Sequence, residues 1–80
     1  MDRTDTIMAN AALVNRLMSD IVDRKKLFSK NGDTDQIVMA AWAGGTAMHI
    51  ADRFGFKKQI EWLEEEYHNL MKLLRDSRKR

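Results

Sequence analysis

The two histidines of this chain are the side chains best suited to metal binding or proton transfer, and their spacing limits both roles. Neither His49 nor His68 has a second histidine three or four residues away, the spacing that places two imidazoles on one helix face. Glu65 and His68 do have this spacing, which occurs as Glu-x-x-His in dimetal helical bundles. Those bundles need two such motifs and further glutamates. We therefore interpret this single copy as part of a solvated charged face and expect no bound metal or cofactor.

Other catalytic chemistries have less support. Glu61, Glu64 and Glu65 are similar to the paired acids that hold magnesium in helical nucleotide pyrophosphatases, but a second acidic motif is lacking. Cysteine is absent, which excludes thiolate nucleophiles and cysteine-bound zinc. The serines lack a glycine elbow, and Gly44-Gly45 is too short for a phosphate-binding loop. We expect a protein that is not an enzyme, with a metal-dependent helical-bundle enzyme as the most distant alternative.

Length and composition indicate one small helical domain. The chain has 80 residues, which is enough for a single domain but too few to enclose a large substrate pocket. Proline is absent, so helices are not interrupted, and 44% apolar with 32% charged residues is typical of a globular chain. No apolar run reaches the roughly 18 residues of a membrane span. The lack of cysteine fits a reducing compartment, and we expect a cytoplasmic location.

Helical periodicity predicts an all-α bundle of three helices near 5–29, 34–54 and 57–77. Asp33 is placed to cap the second helix, and its spacing to a glutamine three residues later is that of a capping box. Gly55 suits the left-handed residue that follows a helix, with an apolar residue directly after it as in a Schellman motif. The short connections favour antiparallel neighbours.

The second predicted helix is apolar nearly all round, since each residue from Ile37 to Ala43 is apolar. Gly44-Gly45 follows within a ladder of small residues, which predicts close packing along one continuous or slightly kinked helix. This much apolar surface exceeds what a small monomer can bury, so we expect a homodimer or higher oligomer with this helix at its centre. The interface candidates are Ile37, Ala40, Ala41, Trp42, Gly44, Gly45 and Met48.

A heptad pattern predicts the buried stripe of the third helix. Apolar residues recur there at alternating spacings of three and four, which keeps them on one face. They are Ile60, Leu63, Tyr67, Leu70 and Leu74. Trp62 falls outside this stripe. It either packs against another helix or is an exposed anchor for a partner.

Charge is concentrated at the carboxyl end. Residues 75–80 hold four basic residues and one acid, so this basic tail has a net charge of +3. The rest of the chain has a net charge of −1, which gives the total of +2. A body so near neutrality lacks a basic face that would ensure nucleic-acid binding. We expect a small interaction protein that binds and modulates a larger macromolecular partner, as accessory subunits and inhibitors do. The partner-binding candidates are Trp62, Lys57, Lys58, Arg75, Arg78, Lys79 and Arg80.

Residues 46–63 support an alternative function. Ala51 and Gly55 are similar to the helix-turn-helix pattern, in which an alanine of the first helix faces a glycine in the turn. Lys57 and Lys58 would then lead a recognition helix towards the major groove. The acids that follow on the same helix would repel phosphates, so a DNA-binding regulator is the second choice and nucleic acid the alternative partner.

Overall fold

The prediction of an all-α bundle is confirmed. The structure, a computed structural model, describes residues 3–78, and within that range it consists of three helices and no strands. They are α1 (Arg3–Asn31), α2 (Thr34–Phe54) and α3 (Lys57–Arg78). The predicted bounds of α2 are reproduced, whereas α1 extends two residues further at each end and α3 one residue further. Lys79 and Arg80 of the predicted tail lie outside the described residues.

Local signals define both connections. Asp33 caps α2, because its carboxylate accepts a hydrogen bond of 3.0 Å from the backbone N–H of Asp35. The backbone N–H of Asp33 donates to the side-chain oxygen of Asn31 at 3.1 Å rather than to a glutamine, so the predicted capping box is not formed. Gly55 has a left-handed conformation with φ of 71°. The N–H of Phe56 donates to the carbonyl of Ala51 at 2.9 Å, which completes the Schellman motif.

Helix α2 is the middle element, since it packs along both α1 and α3 while those two helices make few contacts with each other. Two-residue connections force each pair to run antiparallel. The long-range contacts follow this order, as the guanidinium of Arg24 donates to the side chain of Gln36 at 3.1 Å. The resulting molecule is elongated, with principal extents of 51 × 18 × 15 Å.

The core of the bundle combines large side chains from the outer helices with small ones from α2. Four of the fully buried residues belong to α2, and three of these are alanines, which lets α1 and α3 approach its backbone. The buried apolar residues are Val14, Ile21, Ile37, Ala40, Ala47, Ala51, Leu63 and Leu70. Ile37 is fully buried there as well, whereas Val38, Met39 and Trp42 of α2 are exposed.

Helix α2 runs without a break through Gly44-Gly45. The two glycines have different surroundings. A Cβ at Gly44 would lie 3.6 Å from Cδ1 of Ile21, whereas a Cβ at Gly45 would meet nothing within 4 Å. The close packing predicted from the small residues therefore occurs at Gly44, between two helices of the same chain.

Helix α3 is rotated relative to the predicted stripe. Leu63 and Leu70 are buried as expected, but Tyr67 is 50% exposed and the prediction that it is buried is wrong. Glu66 takes the inward position and is only 8% exposed. The rotation brings Trp62 against the core and places Glu66 beside Lys25 of α1, contacts that the heptad pattern of α3 alone does not contain.

Within residues 3–78, no helix contains an apolar stretch long enough to cross a membrane.

Candidate functional site

An open groove separates α1 from α3. Both helices pack against the inner side of α2 and scarcely touch each other, so a cleft of about 370 Å³ remains between them. We call it the α1–α3 groove. Its lining residues are Val22, Lys25, Lys26, Ser29, Trp62 and Glu66.

Trp62 is the largest side chain of the α1–α3 groove. It is half-buried and packs against the hydrophobic core, which corresponds to one of the two alternatives predicted for it. Its remaining surface lines the groove opposite Val22, which is 38% exposed. An aromatic residue held on one side by the core and open on the other is pre-organised for contact, because little side-chain entropy remains to be lost on binding.

An ion pair forms part of the groove wall. The ammonium of Lys25 lies against Oε1 of Glu66 and so links α1 to α3. Within residues 3–78, no hydrogen bond to this oxygen accompanies the ion pair, so Lys25 is what offsets the desolvation of the carboxylate. Sequence reasoning did not single out Glu66; the exposed Glu65 and His68 lie on either side of it in the chain. The ion pair with Lys25 could have been predicted from the sequence only if the packing of α1 beside α3 had been known.

The outward side of α2 forms a second surface, which we call the α2 outer face. Trp42 lies at its centre and is 83% exposed, more than any other large apolar side chain that the structure describes. The face consists of exposed residues spaced alternately three and four apart, with two more at its edge. The spaced residues are Asp35, Met39, Trp42, Thr46, His49 and Arg53, and those at the edge are Val38 and Gly45.

The candidates for an oligomer interface divide between the inside and the outside of the bundle. Ile37 and Ala40 are fully buried within one chain, so as folded they offer no surface to a second copy, and this corrects their selection. Ala41, Gly44 and Met48 are half-buried, and Trp42 and Gly45 are exposed. Sequence reasoning passed over Val38 and Met39. They could have been found by placing Trp42 outward on a helical wheel, since both are its neighbours on that face.

The histidines lie away from the α1–α3 groove. His49 is on the α2 outer face, and His68 lines a cleft of about 350 Å³ between α2 and α3 together with Tyr67, whose ring centroid is 6.3 Å from that of His68. Glu65 is exposed on the same helix. Within residues 3–78, histidine and acidic side chains nowhere gather in a group of three that could hold a metal ion.

The four basic candidates within residues 3–78 do not form one surface. Lys57 and Lys58 are exposed at the start of α3, while Arg75 and Arg78 are exposed near its end, at the opposite pole of the bundle. Arg75 lies 4.0 Å from the adjacent acid. Arg75 and Arg78 belong to the last turns of α3, so this part of the predicted tail is helical.

The segment 46–63 folds as a helical hairpin. Met48 and Leu63 line the same cleft, as do Gly44 and Tyr67, so α2 and α3 lie side by side along their length. A helix-turn-helix motif instead crosses its helices at about 90–120° to free the second one for the major groove. This geometry gives no support to the DNA-binding alternative.

Comparisons with protein-family models, with curated proteins and with solved structures find no match to this chain.

Proposed function

We propose that the chain is a small non-enzymatic interaction protein that binds a protein partner in its α1–α3 groove. The observation that carries this proposal is Trp62, which is fixed against the core on one side and lines an open groove on the other. Tryptophan is enriched among the residues that dominate binding energy at protein interfaces. Binding in this groove would modulate the activity of the partner, as an accessory subunit or inhibitor does. The proposed location is the cytoplasm.

The shape of the groove favours a helical ligand. From Val22 to Ser29 its α1 wall spans two turns, which is about 10 Å at the rise of an α-helix. An amphipathic helix of the partner could lay its apolar stripe along Trp62 and Val22, as in other helix-in-groove complexes. Lys26 is exposed on this wall, whereas the charge of Lys25 is offset by Glu66. The chemistry therefore suits a partner helix that carries acidic residues beside its apolar stripe.

A binding role is favoured over catalysis by what lines the groove. Ser29 supplies a hydroxyl, but both histidines lie on other surfaces and cannot activate it. The carboxylate of Glu66 is engaged by Lys25. An open cleft with these groups can hold an apolar ligand but contains no nucleophile paired with a base.

The proposal is tested with two matched pairs of α1 variants. Val22→Asp and Lys26→Glu alter the groove, while Leu27→Asp and Lys30→Glu make the same changes at exposed α1 positions that do not line it. A photo-crosslinking residue at position 22 or 27 of the otherwise unchanged chain identifies the partner in the native host. The affinity of that purified partner is then measured for each variant by calorimetry.

We expect crosslinking from position 22 and not from position 27. We also expect Val22→Asp to weaken binding by at least tenfold, which is about 1.4 kcal/mol. Lys26→Glu should weaken binding of the partner more at low salt than at high salt. Equal affinities for the Val22→Asp and Leu27→Asp chains would refute the groove as the binding site.

A further inference from the structure

We infer that the α2 outer face pairs with the same face of a second copy of this chain, with the two α2 helices antiparallel about a two-fold axis at the level of Gly44. This surface lies on the far side of the bundle from the α1–α3 groove, because α1 and α3 both pack on the inner side of α2. The inference therefore does not depend on the proposed function.

The first argument is the apolar surface at the centre of the face. Trp42 is 83% exposed, and its neighbours Val38 and Met39 are exposed as well. Trp42 does not pack against the hydrophobic core, to which α2 contributes mainly alanines. A tryptophan can bury about 150–250 Å² of surface, and three adjacent apolar side chains form the kind of exposed patch that marks an interaction site.

The second argument is the complementarity of the face with itself. When two α2 helices run antiparallel about Gly44, Trp42 of each copy lies over Thr46 and beside Gly45 of the other. Space is available there, since a Cβ at Gly45 would meet nothing within 4 Å. The hydroxyl of Thr46 donates to the carbonyl of Trp42 in its own helix at 3.1 Å, so it needs no partner across the interface. Large residues opposite small ones is the arrangement that allows helices to interdigitate.

The third argument is charge. Asp35 and Arg53 lie near opposite ends of the α2 outer face, on the same side as Trp42, and both are exposed. Antiparallel pairing about Gly44 brings Asp35 of each copy opposite Arg53 of the other, so the contact occurs twice. A parallel pairing would instead place Asp35 against Asp35. A two-fold interface is self-complementary in this reciprocal sense, and the charges select the antiparallel arrangement.

The experiment uses the full chain and measures its mass by sedimentation equilibrium over a concentration series at low salt. We expect wild type to form dimers in the micromolar range. Trp42→Ala should raise the dissociation constant by on the order of 30-fold, as removal of an interface hot spot does. A wild-type chain that remains monomeric at several hundred micromolar overturns the inference.

Charge reversal tests the antiparallel arrangement. Asp35→Arg alone and Arg53→Asp alone should each weaken association, because each places like charges opposite one another twice. The double variant Asp35→Arg with Arg53→Asp should restore it. Failure of the double variant to associate more tightly than either single variant overturns the antiparallel pairing. Lys26→Glu, in the α1–α3 groove, is the control and should leave the dimer unchanged.

Gly45 separates association from folding. Gly45→Leu should abolish the dimer, because the new side chain fills the space beside the incoming Trp42. The melting temperature of the dilute monomer should not fall, since a Cβ at this position meets nothing within 4 Å in its own chain. In a Trp62→Phe background Trp42 is the one tryptophan of the sequence. Its emission should shift to shorter wavelength as concentration rises, and an emission maximum that does not move would contradict burial of Trp42 between copies.

Discussion

The Cδ1 atom of Ile21 lies 3.6 Å from the position that a Cβ would occupy at Gly44. This contact sets how closely α1 approaches α2, and it distinguishes Gly44 from Gly45 one residue later. Both glycines lie inside a helix, where glycine is about 1 kcal/mol less favourable than alanine. Only at Gly44 does a neighbouring helix occupy the space that a longer side chain would need.

We predict that Gly44→Leu destabilises the monomer by about 1–3 kcal/mol, because the side chain must displace Ile21 or part the helices. Gly45→Leu should be neutral or stabilising by up to about 1 kcal/mol, since it gains helix propensity without a clash. Denaturant unfolding of dilute protein measures both. Equal losses at the two positions would mean that α1 does not pack over Gly44.

The two buried leucines of α3 provide a test of its rotation. Leu63→Ala and Leu70→Ala should each reduce the free energy of unfolding by about 2–5 kcal/mol, through lost burial and the cavity left behind. Glu65→Ala, at an exposed position between them, should change it by less than about 0.5 kcal/mol. Comparable losses in the free energy of unfolding for Leu63→Ala and Glu65→Ala would mean that α3 is not oriented as described.

The pair between Lys25 and Glu66 should show the asymmetry of a buried ion pair. Lys25→Met removes the counter-charge of Glu66, a residue that is only 8% exposed, and we expect a loss of about 1–3 kcal/mol in the free energy of unfolding. Glu66→Leu should cost less, because the flexible lysine can extend into solvent. The double variant should be close to wild type in stability. Additive losses in this double-mutant cycle would indicate that the two side chains do not interact.

The two tryptophans should differ in their effect on folding. Trp62 packs against the core, so Trp62→Ala should destabilise the chain by roughly 2 kcal/mol or more. Trp42→Ala should change the stability of dilute monomer by less than about 0.5 kcal/mol, as is usual for exposed positions. Thermal unfolding at low and high protein concentration measures both effects. A large loss for Trp42→Ala in dilute solution would mean that Trp42 packs within its own chain.

Much of the fold follows from local sequence. Helical periodicity and the absence of proline predicted three helices, and the cap at Asp33 and the Gly55-Phe56 pair predicted where they are connected, because these signals act between residues that are close along the chain. The burial of Leu63 and Leu70 followed from helical spacing for the same reason.

Only the tertiary structure decided how each helix is rotated about its axis. Periodicity locates an apolar stripe to within about one residue position, and for α3 this left a choice between Glu66 and Tyr67, which are adjacent in sequence but point in directions about 100° apart around the helix. The choice between them depended on Lys25 and on the space for Trp62, both of which come from the packing of α3 against other helices. The same long-range packing buried Ile37 and turned Trp42 outward, since an apolar run has no preferred side until its neighbours are in place.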